Sequence, residues 1–447
     1  MPRSTAKSRS RFLPTALIIL LVAGITGLAF WYFLLADRTE PELRLSPQAI
    51  VVSKHTRFSV EAQDADSTLS RITVTAIMHG DPYPLLDQTL APGQQTAELS
   101  FTLEELLFDS GEVVIEVTAT DSSVANFGEG NTATLSRSLN LDTEPPQLFI
   151  QSLEHNLSQG GSGAVSFQAS EEIVNAGVVL QDSDIFFPAF EQDNGNYVCL
   201  FTLPYFMAPE DFKPLVVAQD SAGNPAQTSF HYTTKATEYR QRTINVPDSF
   251  LERIAPEFPE YFENAPSLVE GYIRVNNELR ADNQEALYSI AEDTTTAPQW
   301  SGRFLRMAGE TTAFFGDQRT YLYNDEVIDF QVHLGYDLAS VRHDNVPAAN
   351  NGTVVYAQEL GIYGRSVVID HGMSLQTIYS HLSGINVSVG DFVEQGQTIG
   401  QTGITGLAGG DHLHFGVLIG GIAVTPKEWW DGEWVALNIA NRLLQPE

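Results

Sequence analysis

His333-Leu-Gly-Tyr-Asp337, Ser380-His381-Leu382 and His412-Leu-His414 set out four imidazoles and one carboxylate along one stretch of the chain. Such a set can hold a metal through nitrogen and oxygen and still keep imidazoles for moving protons. On a strand, residues two apart share a face, so His412 and His414 enter one cleft while Leu413 turns to the core. His333 and Asp337 are four apart, and Gly335 between them disfavours a helix; a strand end running into a turn brings both to one metal. His333, Asp337 and His414, with a fourth position left for water, describe an open catalytic Zn2+ site better than a closed structural one. Neither an H-E-x-x-H helix nor another obvious carboxylate base accompanies them. His381 and His412 are therefore the natural acid/base and oxyanion-stabilising groups.

The elements that must position these residues are short strands with tight turns. Six of the ten histidines lie between His333 and His414, and sixteen of the 34 glycines fall between Gly335 and Gly421. Runs such as Ser366-Val-Val-Ile-Asp370 and Gln376-Thr-Ile-Tyr379 alternate with those glycines, which predicts a compact β domain over 312–434. Of the other histidines here, His371 begins a turn and reads as structural, and His343 reads as exposed. Tyr379, beside His381, reads as core, support or substrate contact.

Upstream the texture changes twice. Between 41–142 and again between 146–234, alternating β-branched and aromatic runs predict two immunoglobulin-like sandwiches. Val113-Val-Ile-Glu-Val-Thr-Ala-Thr-Asp-Ser122 resembles Pro214-Leu-Val-Val-Ala-Gln-Asp-Ser-Ala-Gly-Asn224, a weak repeat at one-sandwich spacing. Asp142-Thr-Glu-Pro-Pro146 is a stiff joint. Acidic loop residues such as Asp64, Asp66, Asp121 and Asp220 read as solvated turns, with calcium as the other use of such oxygens. From 235–311, Pro247-Asp-Ser-Phe-Leu-Glu-Arg-Ile254 and Ser267-Leu-Val-Glu-Gly-Tyr-Ile-Arg-Val-Asn-Asn-Glu-Leu279 predict a helical connector, with Asp248 and Ser249 as caps and Gly271 as its weak point, and placed so that it could lie across the catalytic domain. The fold class is mainly β: two sandwiches, this connector and the glycine-rich metallopeptidase domain.

Phe12 to Ala36 carries no charge, enough apolar length for a helix across a bilayer core of about 30 Å. Arg3, Lys7, Arg9 and Arg11 precede it and Asp37 follows. The positive-inside rule then makes 1–11 a cytoplasmic tail, 12–36 a transmembrane helix, and the rest periplasmic or otherwise extracytoplasmic on a single-pass inner-membrane protein. Net charge is −32, which excludes a nucleic-acid partner of the usual basic kind. The single Cys199 sits in an apolar run and reads as a buried hydrophobe.

At the site residues the chain resembles the lysostaphin-type (LytM-like) zinc metallopeptidases that hydrolyse bacterial peptidoglycan. The resemblance runs through His333–Ala339, Gly361–Gly372, Thr377–Leu382, Val389–Gly400, Gly403–Gly406 and Asp411–Phe415, with Gly409-Gly410-Asp411 as a departure in loop shape. It implies His333, Asp337 and His414 as Zn2+ ligands, His381 and His412 as the catalytic pair, and an arginine of Phe315-Gly-Asp-Gln-Arg319 lining the groove. It implies an endopeptidase cutting the peptide cross-links of peptidoglycan; the sandwiches read as a spacer or as a docking surface for a cell-wall or divisome protein. Members of the same fold that lack some ligands regulate a cell-wall amidase instead; retention of all five residues points to the enzyme.

Overall fold

The computed structural model describes residues 12–35, 37–107 and 109–443; the expected cytoplasmic tail, 1–11, lies outside them. Strands hold 42% and helices 19%, so the chain is mainly β as its patterning predicts. It divides into two compact units, 1–145 with 221–224, and 146–220 with 225–447.

The first unit begins with α1 (Phe12–Leu35). Among the described residues, no helix is long and apolar enough to cross a membrane. The described side chains of α1 run from Leu17 to Tyr32, so the expected span has no support from the structure. Two sheets follow. One is antiparallel and joins β1 (Glu42–Ser46), β3 (Phe58–Gln63) and β6 (Thr96–Phe101). The other runs β2 (Val51–Val52), β8 (Thr132–Leu141), β7 (Gly111–Asp121), β4 (Leu69–Met78), β5 (Asp81–Thr89), with a helical turn, α2 (Ala125–Gly128), between β7 and β8. Every second residue of β7, from Val113 to Ala119, is buried. Those residues share a core with Phe58 and Val60 of the opposing sheet, each large side chain contributing about 1.5–3 kcal/mol.

In the second unit, seven strands form one path: β16 (Pro225–Thr228), β15 (Pro214–Asp220), β12 (Ile173–Leu180), β13 (Phe186–Glu191), β14 (Tyr197–Thr202), β11 (Ser162–Ala169) and β9 (Leu148–Ile150); β10 (Asn156–Ser158) pairs with β17 (Thr233–Lys235). The repeat noted in sequence corresponds to β7 and β15, each an inner strand of its sheet. Cys199 is fully buried on β14, where desolvation pushes its thiol pKa up. The buried residues of this sheet share one core with buried residues of the connector and of the C-terminal sheet. Ser162 N–H donates to Glu428 Oε2 at 2.8 Å, and Trp429 Nε1 donates to Ser162 Oγ at 3.0 Å.

The connector opens with a strand that its sequence did not suggest: β18 (Gln241–Asn245) pairs in parallel with β20 (Gln318–Tyr323). Short helices then follow, α3 (Asp248–Ile254), α4 (Pro259–Phe262), α5 (Leu268–Arg274) and α6 (Arg280–Glu292), with a π turn at Val275–Leu279 before α6. The expected caps are corrected. Pro247 occupies the N-cap of α3 with no side-chain cap bond, and Asp248 instead accepts the Tyr323 hydroxyl at 2.9 Å. Gly271 has a packing reason, since a Cβ there would lie 2.5 Å from the Phe262 ring.

The C-terminal sheet is built from β19 (Glu310–Ala313), β22 (Tyr336–Ala339), β30 (Leu413–Ile419), β26 (Leu375–Ser380), β25 (Arg365–Asp370), β24 (Gly352–Glu359) and β28 (Phe392–Val393), in that order. β31 (Ile422–Val424) pairs with β30, and β21 (Glu326–Val332) pairs with β20. A smaller sheet joins β23 (Asn345–Pro347), β29 (Thr398–Gln401) and β27 (Gly384–Ile385).

Candidate metal centre

Register on the C-terminal sheet assembles the site. β30 lies between β22 and β26, with His414 directly opposite Asp337 on one side and Ser380 on the other. His381 follows Ser380 at φ +63°, the left-handed turn that swings its ring back toward β30. His333 stands in the turn joining β21 to β22, four residues before Asp337. His412 lies beside the start of β30, bridged to Gly403, while Leu413 points into the core as expected. All five residues line one cavity of ≈ 580 Å³.

His333 Nε2, His414 Nδ1 and Asp337 Oδ1 form a triangle with sides of 2.9, 3.0 and 3.0 Å. Zinc bonds of about 2.0–2.1 Å in tetrahedral array place neighbouring ligand atoms about 3.3 Å apart, so a zinc ion fits these donors after a slight spread. The donor chemistry agrees. His333 Nδ1 donates to the Phe314 carbonyl at 3.0 Å, which leaves the Nε2 lone pair facing the triangle. Gly335 leaves room for the His414 ring, since a Cβ there would lie 2.7 Å from it.

The remaining pair is held in the same way. His381 Nδ1 donates to the Thr405 carbonyl at 2.8 Å, and His412 Nδ1 donates to the Gly410 carbonyl at 2.7 Å. Each ring thereby keeps Nε2 for the cleft, and the ring centroids are 4.9 Å apart. His412 Nε2 is 3.4 Å from Asp337 Oδ1. The departure at Gly409-Gly410-Asp411 explains itself: the Gly410 carbonyl orients His412, and Asp411 Oδ1 accepts the Thr402 hydroxyl at 2.6 Å.

Electrostatics separate the groups. Burial alone would raise the Asp337 carboxyl, but His333, His412 and His414 outweigh it and hold the pKa well below the ordinary value. Arg319, the arginine expected in the groove, donates to Asp337 Oδ2 at 3.2 Å. Burial, reinforced by His412 and His414, keeps His381 neutral. Burial also takes His414 down to about 4. Burial works against the cation of His412 as well, yet Asp337 raises its pKa above the ordinary value. Before any metal binds, the pKa values of the two spare imidazoles are thus pushed in opposite directions from the ordinary value.

The secondary expectations sort cleanly. His371 is buried, donating to the Asn351 carbonyl and accepting the Thr377 hydroxyl, both at 2.7 Å, which makes it structural. His343 is exposed. The Tyr379 hydroxyl accepts Ala349 N–H at 2.7 Å inside the core and does not line the cavity.

Sequence reasoning singled out none of the residues of the far wall. Phe250, Arg253, Tyr272, Asn276 and Arg280 of the connector line the same cavity as the histidines, together with Tyr363. Glu257 Oε2 accepts Gly406 N–H at 2.8 Å, and Arg253 donates to the Ala408 carbonyl, so α3 docks on the loop leading to His412. The π turn at Val275–Leu279 is of a kind often found at functional sites, but no residue pattern in the sequence announces it.

Residues 331–426 match the model of Peptidase family M23. The DD-carboxypeptidase/endopeptidase Mpg of Neisseria meningitidis serogroup B is 35% identical over 97 residues, 22% of each chain. The peptidoglycan DD-endopeptidase ShyA of Vibrio cholerae is 39% identical over 89 residues, 20% of this chain and 21% of that one. The alignments therefore span about a fifth of the length of these curated relatives. A solved peptidase M23 structure from Pseudomonas aeruginosa aligns at 18% identity and a TM-score of 0.37, covering 62% of this chain and 95% of that one.

Proposed function

We propose that this chain uses its M23 peptidase domain as a zinc endopeptidase that hydrolyses the peptide cross-links of bacterial peptidoglycan. The observation that carries the reading is the convergence of all five predicted residues, with three donor atoms in one triangle and two imidazoles aimed into the same cleft. His333, Asp337 and His414 would hold zinc, which when bound polarises a carbonyl and lowers the pKa of a coordinated water toward ~7. Arg319 holds the Asp337 carboxylate in place through Oδ2. Neutral His381 presents a lone pair at Nε2, suited to take a proton from the attacking water. His412 presents an N–H at Nε2, suited to steady the developing oxyanion or to protonate the leaving amine.

Substrate and location belong to this proposal. The relatives whose names state peptidoglycan DD-endopeptidase support the substrate class. The uncharged run Phe12–Ala36 after four positive charges supports an inner-membrane anchor with the rest of the chain outside the cytoplasm; release of the protein from membranes by alkaline carbonate would refute that part. The strand-rich segments are read as immunoglobulin-like spacers or docking modules. Purified full-length protein, stripped by a chelator and reloaded with Zn2+, should convert cross-linked muropeptide dimers to monomers. A zinc-loaded protein that leaves dimers intact but stimulates a cell-wall amidase would instead identify a regulator.

A further inference from the structure

A second set of metal-type ligands lies in the first sandwich, remote in sequence from the histidines. One carboxylate oxygen from each of Asp37, Asp64 and Asp121 lies within 4.8 Å of the others. They come from three places: the segment before β1, the turn after β3 and the end of β7. Asp64 is 3% exposed and Asp121 2%. Such burial separates this group from ordinary acidic turns, whose carboxylates face water.

The hydrogen bonding of the group is incomplete in one direction. Asp64 Oδ1 accepts Asp66 N–H at 3.0 Å and Ser67 N–H at 2.6 Å, but its Oδ2 is buried with no partner. Asp37 repeats the arrangement, with Oδ1 accepting Thr39 N–H at 2.9 Å and Oδ2 buried and unpartnered. Asp121 is fixed by Ser123 N–H at 3.0 Å and by Asn131, which donates from its backbone at 2.8 Å and from Nδ2 at 2.8 Å. Asn131 Nδ2 also reaches the Asp37 carbonyl at 3.1 Å. Backbone donors thus hold the carboxylates in place while buried lone pairs remain unused. A buried carboxylate costs free energy unless it is paired or coordinates a metal, and several at this spacing repel one another.

We propose that Asp37, Asp64 and Asp121 form a calcium site. The ligands are all oxygen, which selects a hard cation, and no imidazole or thiol is among them to favour zinc. Water completes a coordination shell of the six to eight oxygens that calcium takes. The cation clamps the segment entering β1 to the ends of β3 and β7, so occupancy stiffens the point where the chain passes from α1 into the sandwich.

Full-length protein in detergent with its zinc supplied, titrated with calcium chloride in a calorimeter, should bind one equivalent beyond any zinc, with Kd on the order of 10⁻⁴–10⁻³ M. Its first thermal transition should rise with calcium. Asp64→Asn should weaken binding by roughly tenfold or more, because it removes a ligand charge. Asp37→Asn, on a half-buried segment ahead of the sheet, provides the same reading should Asp64→Asn fold poorly by circular dichroism. Absence of heat and of any thermal shift in wild type at about 10 mM calcium, above the weakest range of such modules, overturns the proposal. So does binding by folded Asp37→Asn or Asp64→Asn as tight as wild type.

Discussion

Asp337 does the most varied work in the molecule. It contacts His333, His414, His412 and Arg319 through two oxygens, and its pKa is lowered because His333, His412 and His414 outweigh burial. His333→Ala or Asp337→Ala in folded protein should therefore lose bound zinc and hydrolysis together; wild-type zinc content by atomic emission would remove these residues from the ligand set. The convergence of these five residues on one cavity was legible because metal-type chemistry restricts residue type and strand periodicity restricts spacing. What holds them was not legible. Thr405, Gly410 and Phe314 act through backbone carbonyls, which any side chain could supply.

At the scale of elements, β30 is the frame, since Asp337 and Ser380 flank His414 across its two neighbours. Gly335 permits the approach of the β21–β22 turn to that frame. A Cβ there would meet the Phe415 carbonyl at 2.6 Å and the His414 ring at 2.7 Å. Gly335→Ala should cost about 1–3 kcal/mol as overpacking and lower zinc affinity, both measured on the purified variant; unchanged stability and zinc affinity would contradict the close approach. The connector shows where patterning stops informing. Its helices were visible in apolar spacing, but β18 was hidden because Gln241-Arg-Thr-Ile-Asn245 carries almost no apolar alternation and gains its partner from β20. Docking of this part of the connector on the Gly403–Ala408 loop likewise depends on a backbone donor and a backbone acceptor, not on a motif.

Across the whole molecule, the second strand-rich segment is joined to the peptidase domain through Glu428. Desolvation raises the Glu428 carboxyl to about 8, so the folded chain keeps a proton that an unfolded chain, with its ordinary value of 4.5, gives up. Between those values the folded state binds more protons, and its stability falls as pH rises. The contribution is fully present below about 4.5 and lost above about 8. Glu428→Gln, which cannot ionise, should flatten the decline in unfolding midpoint across that window; an equal decline in variant and wild type would show that Glu428 is not its source.

The division of five residues into ligands and proton carriers is tested most directly by His381→Ala. Wild type and variant, each with zinc content measured, are incubated with purified sacculi, and the soluble products are read by mass spectrometry. The expected result is equal zinc in both proteins, cross-link cleavage by wild type, and a loss of about 10²–10⁴-fold in rate for the variant, the usual worth of a positioned acid/base group. Undiminished release of muropeptides by His381→Ala, or zinc-loaded wild type that leaves every cross-link intact, would contradict the account.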